Sequence, residues 1–295
     1  MAGMLTETAV EAWPWKMEFR TYRGVVCNPL LADDCAEQSP LHEAALQGRL
    51  LSLKALITRG YNVNVATLDG VSPLHEACMG GHAACAKMLL EHGAEVNMTT
   101  IDGATPHFNA CRSGSAACLR VLLKYGPLPR LNLPEASPIH EAAKRGHMEC
   151  MEILLANGAN IDLETTHFGT PLYAACTSGR TECVEKLLRL GASVHMGKAQ
   201  DTPLHAAARK GCFRVVELLI DYGADVQRRN REGQRPVELA APNSPVERAL
   251  RLGKGPASLP QLCRLRIRSS LGRLRLHSVA GLSLPTQLSD FLLYR

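Results

Sequence analysis

The recurring cysteines and histidines of this 295-residue chain raise the hypothesis of a metal site or a nucleophile. Two pairs share one spacing, His82 with Cys85 and His147 with Cys150. Zinc needs about four ligands at one point. Each pair supplies only two, and cysteine recurs at this register in other parts of the chain without a histidine. The pattern therefore favours cysteines that pack between repeated units over a metal centre or a nucleophile.

Four more histidines recur in one register, at His42, His75, His140 and His205. Phe108 and Tyr173 occupy that register elsewhere, which argues against shared chemistry. No glycine-rich phosphate loop, carboxylate pair or Ser/His/Asp order stands above background. We therefore expect no catalytic residue, no cofactor and no metal, and interpret the chain as a non-enzyme.

The elements that carry these side chains repeat with a fixed period. Proline recurs every 32 or 33 residues, at Pro40, Pro73, Pro106, Pro138, Pro171, Pro203 and Pro236. A Ser or Thr precedes each of the first six prolines, and glycines follow 8 and 20 residues later. Ser or Thr caps a helix, proline suits its first turn and glycine ends it. Each unit is predicted to hold two helices and a turn, and it must stack because it cannot bury its own apolar face.

Composition agrees with helices packed through small and aliphatic side chains. The chain is 46% hydrophobic but only 4% aromatic, which disfavours a β-sandwich. No apolar run approaches the roughly 18–20 residues that cross a bilayer, so no membrane insertion is expected. Eleven cysteines without a secretory signal suggest a reduced, cytoplasmic protein. The segment 225–295 holds 13 Lys/Arg against 5 Asp/Glu, so we expect it to do a different job.

The period and the text Thr202-Pro203-Leu204-His205-x-Ala207 resemble the ankyrin repeat, over roughly residues 36–250. The resemblance implies a curved helical stack with β-turn fingers, a surface that binds other proteins, and register histidines that bridge turns through hydrogen bonds to backbone. The third unit departs from the pattern, because His107 stands where an apolar residue is expected and the finger at 127–135 is rich in proline. The seventh unit is truncated and resembles a cap.

The predicted boundaries follow from this register. They are a non-repeat segment at 1–35, six repeats at 36–65, 69–98, 102–131, 134–163, 167–196 and 199–228, a partial capping repeat at 232–252, and a C-terminal module at 253–295.

An apolar stripe marks the C-terminal module. Its members fall at i, i+3, i+4 and i+8 of a helix: Leu259, Leu262, Cys263 and Ile267. Three arginines lie mostly on other faces of that helix: Arg264, Arg266 and Arg268. Spacing alone indicates only an amphipathic helix.

The order of residues is more specific than the spacing. Ser258-Leu259 followed by Cys263 and Ile267 resembles the elongin-binding box that opens a SOCS box, in which the leucine and cysteine enter a pocket on elongin C. Leu284-Pro285, with Leu288 after it, resembles the cullin box, although Gln287 stands where a second proline is expected. The fold class predicted is an all-α repeat solenoid, an ankyrin stack with β-turn fingers, followed by a small three-helix SOCS box.

Ankyrin repeats followed by a SOCS box are the layout of the ankyrin-repeat-and-SOCS-box family, and the chain resembles its short six-repeat subgroup. The resemblance implies a non-catalytic substrate receptor that joins elongin B/C, Cullin-5 and a RING subunit, and so directs a bound protein to ubiquitination and proteasomal degradation. The alternative is an ankyrin scaffold outside any ligase. Nucleic-acid binding by the basic tail is disfavoured, because that segment lacks a recognisable fold for it and has few stacking aromatics.

Two surfaces leave alternatives open. Basic residues recur near the ends of the first helices: Arg112, Lys144, Arg145, Arg180, Arg209 and Lys210. They form either a solvated polar edge or an electropositive groove for an acidic protein substrate. Aromatic residues cluster in the N-terminal segment: Trp13, Trp15, Phe19 and Tyr22. These are either binding anchors or a lid over the first repeat.

Overall fold

The computed structural model describes residues 39–126, 137–253, 259–271 and 284–293. The expectations for the N-terminal segment, for the proline-rich finger at 127–135 and for the residues between the two halves of the C-terminal module lie outside these ranges. None of the helices within them is long and apolar enough to cross a membrane.

The repeats form seven helix pairs. The first helices of the pairs are Pro40–Leu46 (α1), Pro73–Met79 (α3), Pro106–Ser113 (α5), Pro138–Arg145 (α7), Pro171–Ser178 (α9), Pro203–Lys210 (α11) and Pro236–Leu239 (α13). The second helices are Leu50–Thr58 (α2), Ala83–Glu91 (α4), Ala116–Tyr125 (α6), Met148–Ala156 (α8), Thr181–Arg189 (α10), Phe213–Asp221 (α12) and Pro245–Leu252 (α14). Two further helices follow, Leu259–Leu271 (α15) and Thr286–Leu293 (α16).

Local chemistry starts and stops these helices as the sequence predicts. In α5, Thr105 caps the helix and its Oγ1 accepts from the Phe108 amide at 3.3 Å. Gly114 ends the helix in the left-handed region at φ +76°, which a residue with a Cβ rarely adopts. The seventh unit is the exception, since Arg235 occupies the N-cap position and α13 has only four residues.

Stacking buries the first helices most completely. Each packs on the first helix of the next unit. Buried Ala and Cys residues recur in these helices. In α9 every residue from Pro171 to Cys176 is buried. Leucines fill the space between the two layers of helices, and Leu74, Leu172 and Leu204 have no exposed area. The described structure is therefore an all-α repeat solenoid whose core runs continuously from unit to unit.

The fingers within the described ranges are turns rather than strands. Ile101 N donates to Asp69 O at 2.9 Å, which joins two successive fingers. Two isolated bridges pair Thr165 with Gly169 and Lys198 with Asp201 in the described residues.

The register histidines tie the first, second, fourth and sixth units to the units that follow them, as the resemblance implies. Their Nε2 atoms lie within hydrogen-bond distance of carbonyl oxygens 29 residues further on: Val71 at 2.9 Å, Ala104 at 3.2 Å, Gly169 at 2.8 Å and Gln234 at 3.1 Å. In His75, Nδ1 accepts from the Ser72 amide at 3.1 Å, so Nε2 carries the proton and donates to Ala104 O. This arrangement needs a neutral ring, and burial lowers the pKa of His75 to about 4.

His107 has the opposite environment. It is fully buried at the position that Leu74 and Leu172 fill in neighbouring units, and neither ring nitrogen has a hydrogen-bond partner. Burial lowers its pKa to about 4. A buried polar group without a partner costs about 1–3 kcal/mol, so His107 weakens the third unit.

We expect His107→Leu to raise the free energy of unfolding by about 1–3 kcal/mol, because it replaces two unpaired nitrogens with apolar carbon. The matched control is His75→Leu, which removes the bonds to Ser72 and Ala104 and should lower that free energy. Urea unfolding at neutral pH measures both. A His107→Leu protein that is less stable than the parent would contradict the assignment.

The gain from His107→Leu should also depend on pH. The folded-state pKa lies below the unfolded value of 6.5, so the unfolded chain binds a proton that the folded chain does not. The parent protein therefore has its full free energy of unfolding above pH 6.5 and loses part of it as the pH falls towards 4. The difference in unfolding free energy between His107→Leu and the parent should be about 2 kcal/mol larger at pH 5 than at pH 7.5. Equal differences at both values would show that His107 does not titrate in this way.

Candidate functional site

The histidines of the His–Cys pairs pack against the preceding units. His82 is the N-cap residue of α4, and its ring covers Gly48 of the preceding unit, where a Cβ would lie 2.5 Å from Nδ1. His147 covers Gly114 in the same way. Within the described ranges no group of three or more His, Cys, Asp or Glu residues could hold a metal ion. These histidines pack one unit on the next.

The cysteines of the repeats are free thiols, and most of them are buried. Burial raises the pKa of Cys78 and Cys176, and that of Cys183 to about 11. Cys118 differs, because a hydrogen bond with the Cys78 thiol lowers its pKa to about 7. Both members of that pair have no exposed area, so no substrate can reach them. The geometry fits packing between units and not nucleophilic chemistry.

Five of the six basic residues proposed for substrate binding fall into two groups. In the first group the charge is already neutralised within the repeats. Arg145 donates to the carboxylate of Glu141, and Arg209 Nη2 lies 2.8 Å from Asp201 Oδ2. These two arginines belong to local ion pairs and add little to an electropositive groove.

The second group forms a cationic ladder across three units, made of Lys144, Arg180 and Lys210. Arg180 Nε donates to Lys144 O at 3.3 Å, and its side chain lies over Gly146, with Cδ 3.0 Å from the position of a Cβ. Lys210 lies against Gly179 in the same way, with its Cε at 3.7 Å. All three side chains are exposed, and in the described part of the chain none has a carboxylate within 4 Å.

Phe168 contacts the ladder, and Arg112 is the remaining basic residue of the six proposed for substrate binding. Lys144 Nζ lies 5.2 Å from the centre of the Phe168 ring, close enough for a cation–π interaction. Arg112 is half-buried in the third unit. Stacking thus places adjacent positive charges on one side of units four to six, where they are available to a partner.

A polar cleft of about 260 Å³ lies beside this surface, at the sixth and seventh fingers. Asp201 is its centre and accepts from Tyr173 at 3.2 Å, from Arg209 at 2.8 Å and from Asn230 at 3.0 Å. Burial raises the pKa of Asp201. The hydrogen-bonded partners Arg209 and Asn230 together lower it by more than burial raises it, so the pKa lies below its usual value. Tyr173 and Asn230 lie 28 and 29 positions from Asp201 along the chain, and sequence reasoning missed the network.

The turn that carries Asp201 is strained. Ala199 and Gln200 have φ values of +49° and +72°, a region that such residues rarely adopt. Lys198 and Asp201 close the turn with hydrogen bonds of 2.8 and 2.9 Å between their backbones. Strained turns of this kind persist where the surrounding structure holds them, and they concentrate at functional surfaces.

The apolar stripe of α15 is open to solvent. Leu262 is 51% exposed, Ile267 is 39% exposed and Cys263 is exposed. Leu259 begins the helix, and its side chain lies outside the described part. A helix that presents several apolar side chains to solvent on one face has a surface suited to another protein.

The opposite face of α15 meets the repeats. Gln261 bonds to the end of α12, and Arg268 is only 8% exposed and bonds to the end of α10. Arg264 stacks on Phe291 of α16, with its guanidinium carbon 3.9 Å from the ring centre. The sequence placed the arginines mostly off the stripe, but it held no signal that distinguishes the buried Arg268 from the exposed Arg266.

The residues assigned to the cullin box stand at the start of α16. Pro285 and Gln287 are exposed, Leu288 is 41% exposed and Leu284 is half-buried. Three of these four residues are therefore accessible, at the start of the helix that packs on α15.

Family models match most of the chain. A model of three ankyrin repeats matches residues 41–133 and 129–196, and a single-repeat model matches residues 200–231. A SOCS box model matches residues 255–293, which include both α15 and α16. The seventh helix pair, between these matches, is described by the structure alone.

Whole proteins with the same layout are similar to this chain. Ankyrin repeat and SOCS box protein 11 of Homo sapiens is 60% identical over 265 residues, which cover 90% of this chain and 82% of that protein. Protein 11 of Danio rerio is 48% identical over 294 residues, covering 100% of both. The crystal structure of the human ASB11 ankyrin repeat domain has a TM-score of 0.72 at 62% identity, over 75% of this chain and 100% of that one. The chain belongs to the ankyrin repeat and SOCS box family.

Proposed function

We propose that this chain is the substrate-recognition subunit of a ubiquitin ligase built on elongin B/C, Cullin-5 and a RING subunit. The SOCS box docks on elongin and cullin, and the ankyrin repeats hold the protein to be modified. The chain itself does no covalent chemistry. It raises the effective concentration of a substrate lysine near a charged ubiquitin-conjugating enzyme, which is catalysis by proximity.

The exposed apolar stripe is the observation that carries this proposal. Leu262, Cys263 and Ile267 face solvent on a helix whose other side is held by the repeats. Exposed apolar side chains lower the solubility of an isolated protein, so their cost is offset when a partner covers them. The match of a SOCS box model to these residues makes elongin C the partner of choice.

The cationic ladder supports a substrate with an acidic surface. Lys144, Arg180 and Lys210 lie on adjacent units, and no carboxylate among the described residues pairs with them. Complementary charge steers a partner to such a surface and sets its orientation. Arg145 and Arg209, which are already paired, are assigned to supporting the local structure.

Replacing Leu259 and Cys263 together by alanine should weaken elongin B/C binding by about tenfold or more, because anchor side chains in a pocket contribute most of the affinity. The matched control is Leu252→Ala, which truncates an 82%-exposed leucine just before the box. Isothermal titration of the full chain with elongin B/C measures both. Unchanged affinity in the double variant would refute the box assignment and leave an ankyrin scaffold.

The second test concerns the substrate surface. It uses a substrate protein, called a client here, that accumulates on the Leu259/Cys263 variant under proteasome inhibition. Lys144→Glu with Lys210→Glu should weaken the binding of such a client by about tenfold and leave elongin binding intact. The control is Lys54→Glu with Lys124→Glu, which changes the net charge equally on exposed second-helix positions. Equal affinities of the two double variants for the client would exclude the ladder as its binding site.

A further inference from the structure

Gln261 joins the first part of α15 to the sixth unit. Its Nε2 donates to Ile220 O at 3.0 Å and to Asp221 O at 3.2 Å. These are the carbonyls of the last two residues of α12. Carbonyls at a helix end lack partners within the helix, so a side-chain donor from another element can cap them.

Arg268 makes the equivalent contact on the fifth unit. Its Nη2 donates to Leu188 O at 3.0 Å and to Arg189 O at 3.1 Å, the carbonyls of the last two residues of α10. Its Nη1 donates to Leu292 O of α16 at 3.1 Å, and the guanidinium carbon lies 5.4 Å from the Tyr222 ring centre. A cation is well placed here, since the carbonyl end of a helix carries partial negative charge.

The spacing of these two side chains matches the spacing of the repeats. Gln261 and Arg268 are seven residues apart, about 10.5 Å along a helix at 1.5 Å per residue. Packed neighbouring helices are about 8–10 Å apart. The helix α15 therefore lies across the ends of α12 and α10 and caps the same two carbonyl positions in consecutive units.

The packing between these two contacts is close. Gly223, just after α12, has φ +83°, and a Cβ there would lie 2.8 Å from Leu265 Cδ1. Leu265 is four residues after Gln261, and Arg268 is seven residues after it, so the three side chains share one face of α15. At about 100° per residue, this face is opposite to the one that bears Leu262 and Ile267.

We propose that Gln261 and Arg268 form a two-point clamp that sets α15 at one angle across the fifth and sixth units and so fixes the direction from the substrate surface to the apolar stripe. Gln261 and Arg268 are positioning residues, which touch neither substrate nor elongin. A partner on the stripe is then held at one orientation to a protein on the cationic ladder, which lies on units four to six. This role rests on the proposed function, whereas the clamp itself can be measured in the chain alone.

The clamp is tested by the distance between two spin labels. Bioorthogonal labels at Ser52 of α2 and Ser270 of α15, both exposed, report how α15 sits on the stack. Pulsed electron paramagnetic resonance on the full chain should give one narrow distance distribution. Arg268→Met and Gln261→Met should each broaden it, and Arg248→Met, the same change at an exposed arginine of α14, should not.

A distribution as narrow in Arg268→Met as in the parent, with the same mean distance, would overturn the clamp. If Arg268→Met fails to fold, as shown by a loss of helical circular dichroism, Gln261→Met decides the question. That variant removes two hydrogen bonds from a partly exposed side chain and keeps its length.

The consequence for ubiquitin transfer is tested in the assembled ligase. With elongin B/C, neddylated Cullin-5, its RING subunit and a conjugating enzyme, mass spectrometry maps which lysines of the receptor itself become modified. Arg268→Met should bind elongin B/C as the parent does but should spread the modification over more lysines. The same lysines in the same proportions would refute the positioning role. A parent chain that does not bind elongin B/C would refute the proposed function, and the spin-label distances would still decide the clamp.

Discussion

The contact between consecutive first helices is the constraint on which the rest of the structure depends. One helix pair has an apolar face that it cannot cover alone, so stability comes from the interface between units. The helices approach closely because Ala and Cys stand at the contact, as along α9. That close approach sets the distance between units, and every surface feature of the solenoid is repeated at that distance.

The hydrogen bonds of the buried polar side chains also depend on the distance between units. The register histidines reach carbonyls 29 residues ahead because the next unit always presents one at the same place. Burial keeps these rings neutral, which their bonding requires. His107 shows what happens when a polar ring occupies the aliphatic register instead. It is equally buried and finds no partner, so the third unit contributes less to the stability of the array.

The C-terminal module uses the stack as a template. A straight helix with donors seven residues apart can cap two successive units only because the repeat distance is close to two helical turns. The opposite face of α15, which does not contact the repeats through Gln261 and Arg268, carries the apolar stripe. The proposed function, which holds two proteins near each other, needs rigidity between two surfaces more than it needs a reactive group. The contacts of α15 with α12 and α10 suit that need.

Its resemblance to a known family implied the role of the register histidines, and the sequence by itself determined the period and the helix starts and ends. These follow from local rules, since a cap, a proline and a glycine act within a few residues of where they stand. Only the tertiary structure decided which surface residues are available. Arg145 and Lys144 are neighbours in the chain, yet one is paired with Glu141 and the other is open to a partner. Arg268 bonds to residues 79 and 80 positions away, and no pattern near Arg268 or near α10 records that contact. Such pairings depend on how units lie in space, which periodicity predicts for the backbone but not for individual side chains.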